Sequence, residues 1–191
     1  TYAARYPLSW SQYDGVFDAA VHCEAFSPIL PGDYRRSSYP VAVFVWTLRN
    51  PTDRPLDLSL LLSWRNTTGW FTNTDASAEV QFRDDGSPEH NYAPAIGATG
   101  GQRNCWVDDG VLRGVVLEGK ASQPVAEGQG QWCIATAEQP GVTVQRCSRW
   151  NPAGDGRELW DSFRVDGSIP DSNNDRRSGV NDPLSAALAV Q

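Results

Sequence analysis

Carboxylates, histidines and cysteines are the groups in this 191-residue sequence with the reactivity to do chemistry, and their spacing decides what they are for. Two aspartate pairs, Asp84-Asp85 and Asp108-Asp109, have the look of an acid–acid site, but each runs straight into a glycine, Gly86 or Gly110. Asp-Gly between apolar runs is a hairpin signal, because the turn needs positive φ. Both pairs are therefore expected to be turns. Two carboxylates that share a reaction stand ~5–5.5 Å apart across a pocket in the closest arrangement, and neighbours on a turn do not provide that. Glu158 and Asp161 lie three apart in "RELWDSFR", on one face of a helix. That spacing is read as solvated surface. No residue of the chain is assigned a catalytic role.

Only His22 and His90 could act as an imidazole base, and no GxSxG elbow is present. His22 is read as a packed residue of a strand. Four cysteines (Cys23, Cys105, Cys133, Cys147) include no CxxC pair. The one adjacent His-Cys pair, His22-Cys23, would point to opposite faces of a strand, so no metal site is expected. Buried, reduced thiols are the preferred reading, with disulfides in any of three pairings as the alternative. There is no P-loop or GxGxxG, and "GATGG" lacks a strand-to-helix setting. No cofactor is implied.

Eight tryptophans are the more informative excess. Aromatic faces can stack on the apolar faces of sugar rings. Trp46, Trp64 and Trp132 fall within apolar runs and are read as core. Trp70, Trp106 and Trp150 sit by loops or turns and are the candidate carbohydrate-binding platforms. "NTT" at Asn66 also matches an N-glycosylation acceptor.

These residues need elements to hold them. "YPVAVFVWTLRNPTDRPLDLSLLLSWRN" holds two apolar runs joined by a polar knot. In the first, Val41, Val43 and Val45 alternate with Ala42, Phe44, Trp46 and Leu48, apolar on both faces. In the second, leucines alternate with polar residues. The two are expected to pair antiparallel through the turn "NPTDRP". "AEVQF", "CWV", "VLRGVVL", "QWCIAT" and "VTVQRC" add short strands with Gly and Pro punctuation. "RELWDSFR" supplies two turns of helix, while "PLSAALAVQ" reads as either helix or strand. "SPEHNYAPAIGATGGQRN" and "GSIPDSNNDRRSGVND" are long polar loops. The fold class is all-β: an antiparallel β-sandwich with long loops and one short helix, as a single domain over residues 1–191.

The net charge is −7, with pI near 4.7 and no basic run. Nucleic acid and anionic membrane surfaces are therefore poor partners. No apolar run approaches the ~20 residues that cross a bilayer.

The string "CEAFSPILPGDYRRSSYPVAVFVWTLRNPTDRPLDLSLLLSWRNTTGW" resembles the N-terminal domain of glycoside hydrolase family 116, the non-lysosomal glucosylceramidases and bacterial β-glucosidases. Matching positions are Phe26-Ser27-Pro28, Pro31, Ser38, Pro40 to Phe44, Asn50, Ser63-Trp64, Asn66 and Gly69. "VLRGVVL", "GQWCIAT" and "GDGRELWDSFRVDGSI" follow in order, the last with Leu159, Trp160, Phe163 and Gly167. The resemblance implies a β-sandwich packed on a C-terminal helical α/α barrel that carries the nucleophile and acid/base of a retaining β-glucosidase. It implies β-glucoside substrates bound through that domain, and a cytoplasmic location, membrane-peripheral through the parent protein. Family members carry a glycine-rich segment upstream and a further strand downstream, so the chain is expected to be an interior part of such a domain. The rival reading is a free-standing carbohydrate-binding module.

Overall fold

The structure, a computed structural model, describes residues 1–68, 81–82, 84–89, 100–120, 130–179 and 182–191. It is all-β and sandwich-like, and its sheets are antiparallel throughout. The chain divides into two compact units, Thr1–Leu58 and Ser59–Gln191.

The first unit is a four-stranded meander of β1 (Tyr2–Arg5), β2 (Leu8–Gln12), β3 (Ala20–Phe26) and β4 (Val43–Arg49), in that spatial order. Ala19, Val21 and Cys23 are its buried apolar residues. Cys23 and His22 do point to opposite faces, Cys23 inward; His22, read as packed, is exposed. Between β3 and β4 lies α1 (Tyr34–Ser37), a single turn the sequence reading did not include, so the described residues hold two short helices and not one. Its cause is local. Asp33 caps the turn by accepting from the Arg36 backbone N–H at 2.9 Å, satisfying a donor that the helix start would leave unpaired.

The second unit stacks two three-stranded sheets. One contains β8 (Arg103–Asp108), β9 (Leu112–Glu118) and β10 (Gln131–Ala137), with β9 central. The other contains β5 (Leu60–Arg65), β11 (Val144–Trp150) and β12 (Ser185–Val190), with β12 central. A small hairpin, β6 (Gln81–Phe82) with β7 (Pro88–Glu89), stands apart from them. Val115, Leu117 and Ile134 of one sheet pack against Ala186 and Leu188 of the other. On the far side of β12, Ala187 and Ala189 join Cys147, Ile169 and Leu159 of α2 (Arg157–Asp166) in a second cluster. This settles the ambiguous tail: "SAALAV" is a strand covered on both faces. Its alanines let a sheet and a helix both approach closely, which a run of larger residues would prevent.

The two apolar runs do not pair with each other. β4 pairs with β3, and β5 pairs with β12. The reason lies in the connection: the segment between Arg49 and Leu60 is longer than the 2–5 residues of an ordinary hairpin loop. It closes on itself instead, with Asn50 Nδ2 donating to the Arg54 carbonyl and Thr52 N–H donating back to Asn50 Oδ1. The Asp-Gly turns, by contrast, form as expected. Asp108 pairs with Arg113 across a tight turn, and Gly110 takes φ +83°. Gly86 takes φ +77° between β6 and β7. Among the described residues, no helix is long and apolar enough to cross a membrane.

Candidate functional site

Of the carboxylates singled out by spacing, Asp85, Asp108, Asp109, Glu158 and Asp161 are engaged in holding backbone or an arginine. Asp85 Oδ1 accepts from both the backbone N–H and the hydroxyl of Ser87, which hold its carboxyl below the ordinary range. Asp109 Oδ1 accepts from the backbone N–H groups of Leu112 and Val111, with the same downward effect. Asp108 lies 3.0 Å from Arg113. Glu158 accepts from the Asn151 N–H at 2.6 Å, bracing the start of α2, and Asp161 pairs with Arg164 one turn on. A general acid at neutral pH needs its carboxyl pushed up. Among the described residues, every carboxyl with a resolved shift (Asp33, Asp85, Asp109, Glu118, Asp166) lies below its ordinary value.

The densest polar chemistry is buried between the two sheets of the second unit. Asn66, just after β5, is 3% exposed. Its Nδ2 donates to Asn104 Oδ1 at 3.0 Å and to the carbonyls of Glu118 and Arg103. Its Oδ1 accepts from the Thr68 N–H and hydroxyl. Gln102 Nε2 donates to the carbonyls of Asn66 and Thr68, and Asn104 Nδ2 donates to the Ser148 carbonyl. Ser178, on the long loop after α2, accepts from the Gln102 N–H. Nearby, Glu118 pairs with Arg103 and Arg177. Burial works against the Glu118 charge, but hydrogen bonds from Arg103 and Gln131, with the two arginine charges, outweigh it and hold the carboxyl low.

This cluster ties both sheets and anchors the loop that carries Ser178. Sequence reasoning missed it as a unit. The only signal is that "SWRNTT" and "GQRNCW" each place Asn where a strand meets a loop. It also disposes of the glycosylation motif: Asn66 Nδ2 is buried and fully engaged, so in the folded chain it is no acceptor.

Of the three tryptophan candidates, Trp70 lies outside the described residues, as does His90. Trp106 leans on the sandwich core, and the Arg146 guanidinium sits 4.9 Å over its ring, occupying that face with a cation–π contact. Trp150 packs against Leu159 and its neighbours, with its indole N–H donating to Ser63 Oγ at 3.2 Å. The geometry does not bring Trp106 and Trp150 to a common surface: one faces the interior between the sheets, the other the helix side. The tryptophans read as core turn out half open, with Trp46 39%, Trp64 47% and Trp132 50% exposed. All three stand on edge strands (β4, β5, β10), where a side chain is covered from one flank only.

All four cysteines are free, with Cys23 and Cys147 buried. Burial pushes each thiol up, away from reactive thiolate. Cys105 and Cys133 both register against Val116 from opposite sides. Two strand spacings put them roughly 9.5 Å apart, beyond disulfide reach. No group of three metal-ligating side chains occurs among the described residues.

Two facing antiparallel sheets with a helix laid on one of them define the class, an all-β sandwich domain. The family is more particular. The chain belongs to the N-terminal domain family of glycosyl-hydrolase family 116: the family described as beta-glucosidase 2, glycosyl-hydrolase family 116 N-term, matches residues 1–191.

Proposed function

We propose that this chain is the non-catalytic sandwich portion of a retaining β-glucosidase or glucosylceramidase. In this reading the glycosidic bond is cut in a C-terminal α/α-barrel domain of the same polypeptide, on β-glucosides bound there. The parent would work in the cytoplasm, peripheral to a membrane where its substrate is a glycolipid. The observation that supports this most is the family match over the whole chain. The second is that the described carboxylates with suggestive spacing sit in turns, caps and ion pairs, with no raised carboxyl among the described residues whose shift is resolved.

The test is direct. The isolated chain should hydrolyse no aryl β-glucoside, and the parent reading frame should encode a long helical domain after Gln191. Turnover by the isolated chain that is lost in Glu158→Gln or Asp161→Asn would overturn the proposal.

A further inference from the structure

One face of the first unit's sheet carries an aromatic ring beside a row of polar side chains. Register fixes who shares it. Trp10 stands opposite Glu24, which stands opposite Val45. Two residues along, Gln12 stands opposite His22, which stands opposite Thr47. Directly opposed residues share a face and so do residues two apart, so all six side chains lie on the same side of the sheet. The Trp10 indole N–H donates to Glu24 Oε2 at 3.1 Å, which holds the ring in place. Trp10, Gln12, His22, Val45 and Thr47 are all exposed.

We infer that this face binds a neutral pyranoside, with Trp10 as the stacking ring and Gln12, His22, Glu24 and Thr47 as hydrogen-bonding partners for its hydroxyls. The chemistry fits in three respects. The face of an aromatic ring is electron-rich, and a β-glucosyl ring presents C–H groups on both faces with its hydroxyls around the rim. A ring stacked on Trp10 therefore turns its hydroxyls towards side chains beside the indole. The polar row lies about 6.7 Å away along the strands, and its members are about 4.8 Å apart across them. That is the scale of one to two sugar units. By the same register Arg5 and Arg49 lie on this face with Glu24, and Asp14 accepts from Gln12 Nε2 at 2.7 Å, so neither sign of charge dominates and an ionic sugar gains nothing over a neutral one.

Among the described tryptophans this combination occurs at Trp10. Trp106 has its face taken by Arg146, Trp150 is pinned to the helix side, and Trp46 stacks on Tyr13. The inference goes beyond the function proposed above and does not rest on it, since binding is measured on this chain with or without a catalytic domain.

The experiment is a titration of the 191-residue chain with cellobiose, followed by tryptophan fluorescence and by the indole N–H signals in NMR. Sorbitol serves as an acyclic polyol lacking an apolar ring face. The expected result is saturable perturbation by cellobiose and a much weaker response to sorbitol. Trp10→Ala should weaken binding at least tenfold, while Trp160→Ala leaves it unchanged. The double variant Gln12→Ala/His22→Ala, confined to exposed side chains, should also weaken it and carries the test if Trp10→Ala does not fold. Cellobiose binding that survives in the double variant, an equal response to sorbitol, or no saturation at all would each overturn the inference.

Discussion

Asn66 and Asn104 hydrogen-bond to one another inside the sandwich, Nδ2 to Oδ1 at 3.0 Å, and join the end of β5 in one sheet to β8 in the other. Two amides that each have further buried partners make a junction with no substitute. An apolar side chain at either position would strand carbonyls that water cannot reach.

The first prediction follows. Asn66→Ala leaves Asn104 Oδ1 and the carbonyls of Glu118 and Arg103 short of a donor. A buried group orphaned in this way costs about 1–3 kcal/mol, so the variant should lose about 2–4 kcal/mol in urea unfolding. A loss within error of zero would mean that the network is replaceable by solvent.

Gly114 sits in β9, the central strand of its sheet, and a Cβ there would lie 2.3 Å from the Ile134 carbonyl oxygen. That contact is with backbone, so β9 and β10 must part. Gly114→Ala should cost about 2 kcal/mol or more, as overpacking does. Gly110→Ala is the comparison: its Cβ meets nothing, and only the φ of +83° is unfavourable, which costs about 1–2 kcal/mol. Thermal melts of the pair should rank Gly114→Ala as the worse.

Acid sensitivity should report on Glu118. Its folded-state pKa is depressed, so its contribution is fully present above the unfolded value of about 4.3 and is lost as pH falls through the lower folded value. Glu118→Gln should therefore melt below the wild type at pH near 7 and lose less on acidification. Parallel melting curves for the two proteins from neutral to acid pH would contradict the assignment.

Thiol accessibility should be graded. Cys133, on the exposed edge strand β10, should react first with a disulfide reagent in the folded chain. Cys23 and Cys147 should resist until denaturant is added, and the denatured total should be four. Fewer than four without reductant would contradict the free state of the four thiols.

How much of this was legible in the sequence depends on how local the determinant is. The Asp-Gly turn of Asp108 to Gly110 and the helix at Arg157–Asp166 are set by residues a few positions apart, and both were read correctly. The partner of β5 was not. Alternation in "LSLLLSW" announces a strand, but pairing with β12, more than a hundred residues away, leaves no mark near it. The half-open Trp64 and Trp132 follow from the same limit, because an edge position is a property of the assembled sheet. Trp106 and Trp150 face different layers for another reason: nearness to a turn in sequence says nothing about which layer a ring faces. Trp10 drew no attention because neither β1 nor β2 was recognised in "TYAARYPLSW", and without strands its register with Glu24 and His22 is invisible.

The place of β12 has a consequence for the order of events on the ribosome. β5 and β11 never touch as neighbours in their sheet; among the described residues the strand that each pairs with is β12, which is made after both, although β11 also bridges Ser172 through Cys147. As synthesis runs from the amino end, the groups that face β12 must wait unpaired until Val190 has cleared the exit tunnel. The meander of the first unit, whose strands are consecutive, carries no such delay and can form first. The second unit thus has a vulnerable interval while it is still being translated, in which Leu60 to Trp64 lie open to the wrong partner. A nascent-chain protease assay should show the first unit protected early, and the second only once the last strand has emerged.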